Sequence, residues 1–250
     1  MEKELKELYN TIKILRAPNG CSWDNKQTSN SLIPYLLEEV YEIIEAIENK
    51  NENEIKEELG DLLLHLIFQA QIYEEKNIFG FTEVIEQINA KLKNRHPELF
   101  GIKSNNIGLT WEEKKQIEKK REKYLDGVPI SLPALTRASR IQEKASQVGF
   151  DWKEINPVWD KVNEEINELK LAIEQKNEKN ISEEFGDVLF SFVNLARFLN
   201  IQPEASLKGT INKFENRFHI IETELAKRNI KLSDASLEEM DEIWDKSKKK

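Results

Sequence analysis

Glu57-Glu58-Leu59-Gly60-Asp61, EELGD, leads straight into DLLLHLIFQAQIYEE, a segment apolar on nearly every face. A near copy, EEFGD at Glu183 to Asp187, leads into DVLFSFVNLARFL. Glycine costs a helix interior ~1 kcal/mol relative to alanine, and unpaired acids resist burial. The helical pattern nevertheless continues past each glycine. We therefore expect another helix or a ligand to approach the backbone closely at Gly60 and Gly186.

Each EELGD-type segment follows an E-E-x-x-E motif, Glu38-Glu39-x-x-Glu42 in the first half and Glu164-Glu165-x-x-Glu168 in the second. Glu38 to Glu58 spans 20 positions, and so does Glu164 to Glu184. On a helix, residues three apart share a face, which pairs Glu39 with Glu42 and Glu58 with Asp61. The intervening ENKNENE, Glu48 to Glu54, suits a tight helical hairpin about Asn51, and QKNEKN, Gln175 to Asn180, suits one about Asn177. Glu42 lies nine residues before Asn51, with Glu58 seven and Asp61 ten after it; Glu168, Glu184 and Asp187 keep the same offsets from Asn177. Antiparallel helices rising ~1.5 Å per residue bring these acids level.

Four carboxylates meeting in a helical pair repel one another unless some are protonated or a cation sits among them. An all-oxygen ligand set suits Mg²⁺, or Mn²⁺ in its place, and Mg²⁺ commonly shares its shell with phosphates. A ferritin-like di-iron bundle would need Glu-x-x-His, which this chain lacks. His65 follows Asp61 by four residues, but its counterpart is Ser191, so His65 reads as a buried, hydrogen-bonded residue rather than a ligand.

Leu, Ile, Glu and Lys dominate, and apolar residues recur at helical steps, as at Leu36, Val40, Ile43, Ile44 and Ile47. The expected fold is all-α, two tandem helical-bundle repeats. The acidic core is one part of a longer internal repeat. Gly20-x-x-Trp23 matches Gly149-x-x-Trp152, Lys91-x-x-x-Arg95 matches Lys213-x-x-x-Arg217, and Trp111-x-x-x-Lys115 matches Trp244-x-x-x-Lys248. Gly127, Pro129 and Pro133 break the helical period in DGVPISLPALTR. The expected organisation is a repeat over 1–125, a linker over 126–137 and a repeat over 138–250.

The i,i+4 basic pairs can neutralise the charge that a metal-bound triphosphate retains. The Trp111 and Trp244 indoles either stack on a base or pack between helices. A net charge of −9, from 46 acidic and 37 basic side chains, argues against a non-specific nucleic-acid binder. The single cysteine, Cys21, rules out an intramolecular disulfide and a four-thiolate zinc site. Neither a signal-peptide core nor an uncharged span of ~20 residues is present, so a soluble cytoplasmic protein without membrane partners is expected. P-loop, nucleophile-elbow and Rossmann signatures are absent from the sequence. The apolar helices after each EELGD-type segment suit a bundle interior or a subunit interface, and hence a homodimer.

At LRAPNGCSWDNKQT, PYLLEEVYEIIEAI, EELGDLLLHLIFQAQ, RHPELF, SLPALTRASRIQEKASQVGFDW, KVNEEINEL, EEFGDVLFSFVNLARFL and KFENRF the sequence resembles the MazG family of nucleoside triphosphate pyrophosphohydrolases, in the all-α NTP pyrophosphatase superfamily. Ser22 departs from the proline common there, at a turn that carries no ligand. The resemblance implies Mg²⁺-dependent cleavage of an NTP or dNTP between the α- and β-phosphates, in a nucleotide-pool house-cleaning role. By the same resemblance Glu165, Glu168, Glu184 and Asp187 are metal ligands, matched in the first repeat by Glu39, Glu42, Glu58 and Asp61. Glu164 and Glu38 either orient the attacking water or complete the metal shell. Lys161, Lys213, Arg217, Trp244 and Lys248 correspond to substrate contacts, with Lys91, Arg95, Trp111 and Lys115 at matching places of the first repeat. The family also weights activity toward the second repeat. A non-catalytic scaffold that binds metal or nucleotide, and a narrow dUTP or dCTP pyrophosphatase, are the competing readings.

Overall fold

The computed structural model describes residues 1–101, 111–119 and 121–248. It is all-α, with no strand among the described residues. The chain forms two compact units, Met1–Trp111 and Glu112–Lys250. The division precedes the proline-rich stretch 126–137 because residues ahead of that stretch are tied to the second unit. Lys144 Nζ donates to the Asp126 carbonyl at 3.0 Å and lies 5.5 Å over the Tyr124 ring.

In the first unit, α1 (Glu2–Arg16) is followed by a 3₁₀ turn at Asp24–Lys26, then α2 (Ile33–Glu48), α3 (Glu52–Glu74), α4 (Phe81–Arg95) and the short α5 (Pro97–Phe100). Helices α2 and α3 form the hairpin, and α1 packs along α3. Ile12 from α1, Leu32, and Ile67, Phe68 and Ile72 from α3 make its core. Burying each such side chain contributes on the order of 1.5–3 kcal/mol. Helix α6 (Trp111–Glu118) spans the division.

The second unit repeats the plan with α7 (Ala134–Gln147), α8 (Ile155–Glu174) and α9 (Glu178–Phe198), where α8 and α9 form the hairpin and α7 packs along α9. Val158, Val162 and Leu195 are its centre. Helix α10 (Pro203–Lys227) packs on α11 (Leu237–Ser247) and α7. Ile221, Leu225 and Ile243 form a separate cluster there.

Both hairpins close with the same chemistry. Asn51 and Asn177 cap the second helix, each side-chain carbonyl accepting from the backbone N–H three residues on, at 3.5 and 3.3 Å. The residue before each asparagine is a lysine in the left-handed region, Lys50 at φ 54° and Lys176 at φ 56°. That conformation lets the Asn51 N–H reach back to the Ala46 carbonyl and Asn177 to Ala172, at 3.0 and 3.4 Å. Two identical turns thus give two identical registers for the acids.

The close approach of another helix expected at Gly60 and Gly186 is not found among the described residues. A Cβ built at Gly60 or Gly186 meets nothing within 4 Å. Both glycines are exposed on α3 and α9, and no other helix among the described residues approaches them. Gly149 is explained differently: it follows α7 with φ +85°, where side-chain-bearing residues are strained. Among the described residues no helix is long and apolar enough to cross a membrane.

Candidate active site

Matching registers on the two hairpins put the acids in contact. One carboxylate oxygen from each of Glu39, Glu42 and Glu58 lies within 4.8 Å of the other two, and Glu165, Glu184 and Asp187 form a second such trio. In the second trio Glu165 is buried, Glu184 half-buried and Asp187 exposed, so the group opens to solvent on one side. Asp61 and Glu168 stand outside the trios but within their field. Burial, then Asp61, Glu42, Glu58 and Glu38, pushes the Glu39 carboxyl above its ordinary range. Burial, then Glu42 and Asp61, does the same to Glu58. Glu168 is raised by burial and then by Glu165 and Glu184, with Lys161 opposing.

These shifts record burial first and, after it, clustered negative charge that a hard cation would neutralise. The donor set is entirely carboxylate oxygen, which suits Mg²⁺ or Mn²⁺ rather than a softer metal. In the second trio a cation is already drawn in: Lys161 Nζ lies 2.7 Å from Glu165 and 2.9 Å from Glu164. Those bonds push the Lys161 ammonium above its usual range, Glu165 contributing most. Tyr35 occupies the matching place in the first repeat and packs edge-on against Trp23 at 5.6 Å. Only the second trio therefore carries its own counter-charge at this position.

His65 is buried, as expected, but its Nε2 is 3.6 Å from Glu39 Oε1, too long for a hydrogen bond, and Nδ1 has no hydrogen-bond partner among the described residues. Burial holds its pKa down against the pull of Asp61.

The basic candidates lie on other helices. Lys213 is exposed on α10, and Arg217 lies 5.5 Å over the Trp244 ring, which Phe214 also contacts at 5.2 Å. Of the two readings left open for Trp244, packing is the one the chain supplies, since the indole joins the Ile221, Leu225 and Ile243 cluster. Lys248 pairs with Asp245 at 2.9 Å. In the first unit, Lys91 is half-buried and Arg95 buried on α4, and Lys115 sits on α6. Trp111 opens α6, and its side chain lies outside the described residues.

Beside the second trio is a feature that the motifs did not disclose. An open cleft of about 580 Å³ is bounded by Leu125, α7, α8, α9 and the loop before α8, and Lys161, Glu165 and Asp187 form part of its wall. Its remaining walls are largely apolar, with Phe150, Trp152 and Phe190 among them. Gln142 and Asn194 bring two buried amides to it. Gln142 Nε2 donates to the Phe190 carbonyl at 2.8 Å, which leaves a buried Oε1 without a partner. Such an orphan costs about 1–3 kcal/mol. The one signal available in the sequence was Asn194, an amide inside the largely apolar FSFVNLARF.

The comparisons with known proteins agree with this anatomy. Residues 27–100 and 157–220 match the MazG nucleotide pyrophosphohydrolase domain, one segment over each acidic hairpin. A nucleoside triphosphate pyrophosphohydrolase/pyrophosphatase named MazG from Thermotoga maritima is 47% identical over 244 residues, covering 97% of this chain and 94% of that protein. A nucleoside triphosphate pyrophosphohydrolase from Escherichia coli K12 is 39% identical over 256 residues, 98% of this chain and 97% of that protein. An uncharacterized Bacillus subtilis protein, YabN, is 42% identical over 260 residues, although the match covers only 53% of its length. Two acidic hairpins with matching registers, a domain match over both and near full-length relatives together show that the chain belongs to the MazG nucleotide pyrophosphohydrolase family.

Proposed function

We propose that the chain is a Mg²⁺-dependent nucleoside triphosphate pyrophosphohydrolase that cleaves NTPs or dNTPs between the α- and β-phosphates, releasing the monophosphate and pyrophosphate. The observation that carries this reading is the Glu165, Glu184 and Asp187 trio opening beside a ligand-sized cavity, with the Lys161 ammonium at its edge. Glu165, Glu184 and Asp187, with Glu168 nearby, would hold the ion, and Mn²⁺ would serve in its place. When bound, a divalent ion supplies charge neutralisation and polarises a phosphoryl oxygen.

The chain's own residues do the rest. Lys161 meets an incoming phosphate by turning its ammonium from Glu164 and Glu165. Glu164, an exposed carboxylate once released, can then accept the proton of an attacking water. Glu38 has the matching place in the first repeat without the lysine. Lys213 and Arg217 are proposed as further phosphate contacts, with Trp244 and Lys248 beside them, and Lys91, Arg95, Trp111 and Lys115 as their first-repeat counterparts.

A homodimer accompanies this reading. Leu37, Tyr41 and Ile47 on α2 and Phe185, Leu189 and Phe192 on α9 are exposed, more apolar side chains than a solvated helix face commonly carries. A monomer mass in light scattering would contradict it. The proposed setting is the cytoplasm, where the enzyme limits nucleotide pools.

Incubation of purified protein with NTPs and Mg²⁺ tests the reaction. Monophosphate plus pyrophosphate is expected; diphosphate plus phosphate, or no turnover, overturns it. Asp187→Asn should remove most activity and leave the helical circular dichroism intact. Unchanged turnover in that variant would move the chemistry to the first trio or elsewhere.

A further inference from the structure

The chain ahead of the proline-rich stretch does more than lead into the second unit. Lys123 to Asp126 close a turn on themselves: the Asp126 N–H donates to the Lys123 carbonyl, and the Lys123 N–H to Asp126 Oδ2, each at 3.1 Å. Tyr124 and Leu125 are its two central residues. Gly127 follows at φ +85°, where a Cβ would collide with the Arg121 guanidinium.

Helix α7 holds this turn on both sides of Leu125. The Tyr124 hydroxyl donates to Gln147 Oε1 at 3.4 Å. The Lys144 ammonium donates to the Asp126 carbonyl at 3.0 Å and lies over the Tyr124 ring. Lys144 is only 3% exposed. Lysine is rarely buried so fully, and taking an ammonium out of water is costly. An apolar side chain would fill the same space without that cost; what the ammonium adds is a directional hold on the turn. With its neighbours fixed, Leu125 is delivered to the wall of the cleft beside the second trio, where it stays 45% exposed. Much of its apolar surface is thus open to whatever the cleft receives.

We infer that residues 123–126 are a strap on the second repeat's site, in which Leu125 touches the bound nucleotide and Lys144 positions it through Tyr124 and Asp126. The inference rests on the nucleotide-hydrolase reading above and adds to that site a segment outside both acidic hairpins. A leucine side chain makes no hydrogen bonds, so its contact supports affinity without choosing among nucleotides. By the register that pairs Gly20 with Gly149 and Trp23 with Trp152, Leu15 stands where Lys144 does. The buried ammonium therefore belongs to the second repeat.

The test measures binding of the α,β-imido analogues of ATP, GTP, CTP and UTP to the full chain with Mg²⁺, by calorimetry. Leu125→Ala should weaken all four by about fivefold through lost apolar contact; no change, or a change confined to one analogue, overturns the strap. Lys144→Met keeps the length and the apolar stem but not the ammonium. It should weaken binding to a similar degree, and the double variant should bind no worse than either single one, because both changes remove the same contact. Additive losses overturn the positioning role. Trypsin reads the strap directly, since Lys123 is a cleavage site. A bound analogue should slow the cut after Lys123 in the parent protein, and an unchanged rate overturns the contact. Lys144→Met should speed that cut alone, whereas faster cleavage at every site marks a general loss of stability and overturns the positioning role. Should Lys144→Met lose its helical circular dichroism, Leu125→Ala and the protection of the parent carry the test. Hydrolysis of natural NTPs by the parent is measured alongside. Turnover with neither protection nor weakened binding sinks the strap alone, and protection with weakened binding but no turnover sinks the hydrolase reading alone.

Discussion

Glu184→Gln keeps the shape of a side chain in the second trio and removes one of its three charges. The ligand oxygens of the trio lie within 4.8 Å of one another, so each pair repels by ~0.9 kcal/mol in water and ~3.5 kcal/mol at an effective dielectric of about 20. Glu184 is half-buried and Asp187 exposed, which places its two repulsions toward the lower figure. In EDTA the variant should therefore be the more stable protein by about 2 kcal/mol, a rise of roughly 4–8 °C in the unfolding midpoint for a chain of this size. Excess Mg²⁺ should reverse the order. An ion at about 100 times its dissociation constant stabilises a folded protein by ~2.7 kcal/mol, and the variant has lost one of its ligands. Differential scanning calorimetry of both proteins, with EDTA and with Mg²⁺, reads the two effects separately. The reasoning is refuted if the variant is no more stable than the parent in EDTA, or if Mg²⁺ raises both midpoints equally.

Two further predictions follow from the hairpins. Gly60→Ala and Gly186→Ala should each stabilise the chain by ~1 kcal/mol in urea unfolding, because a methyl group meets only open space there; a loss of stability would reveal a neighbour at those positions. Glu39 has a folded-state pKa raised above the ordinary 4.5 by burial, then by Asp61 and the nearby glutamates. Its contribution is full below that value and lost as pH rises through the raised one. In EDTA the parent should therefore lose stability relative to Glu39→Gln as pH rises above 4.5. Parallel curves for the two proteins would remove the charge clustering from the account.

The hairpins were readable because their determinants are local. Asn51 and Asn177 cap, the apolar steps set the faces, and a spacing of 20 positions brings the acidic segments level, although the trios differ in their third member, Glu42 in the first and Asp187 in the second. What escaped was set by packing between distant segments. The cavity needs α7 laid against α9, and Gln142 and Asn194 are 52 positions apart. The helix half of the glycine expectation missed for a related reason: sequence shows that a Cβ is missing, and only the fold shows whether another helix stands where it would be.

Lys161 has a consequence for timing. Its ammonium rests 2.7 Å from Glu165 and competes with any ion for the same oxygens. A free divalent ion must evict it alone. A nucleotide carrying its own ion offers the ammonium a phosphate in exchange, so eviction and delivery coincide. In the proposed hydrolase, occupancy of the trio would then follow the supply of the ion–nucleotide complex and not the level of free ion. An initial rate that climbed with free Mg²⁺ at a fixed concentration of that complex would contradict this order of events.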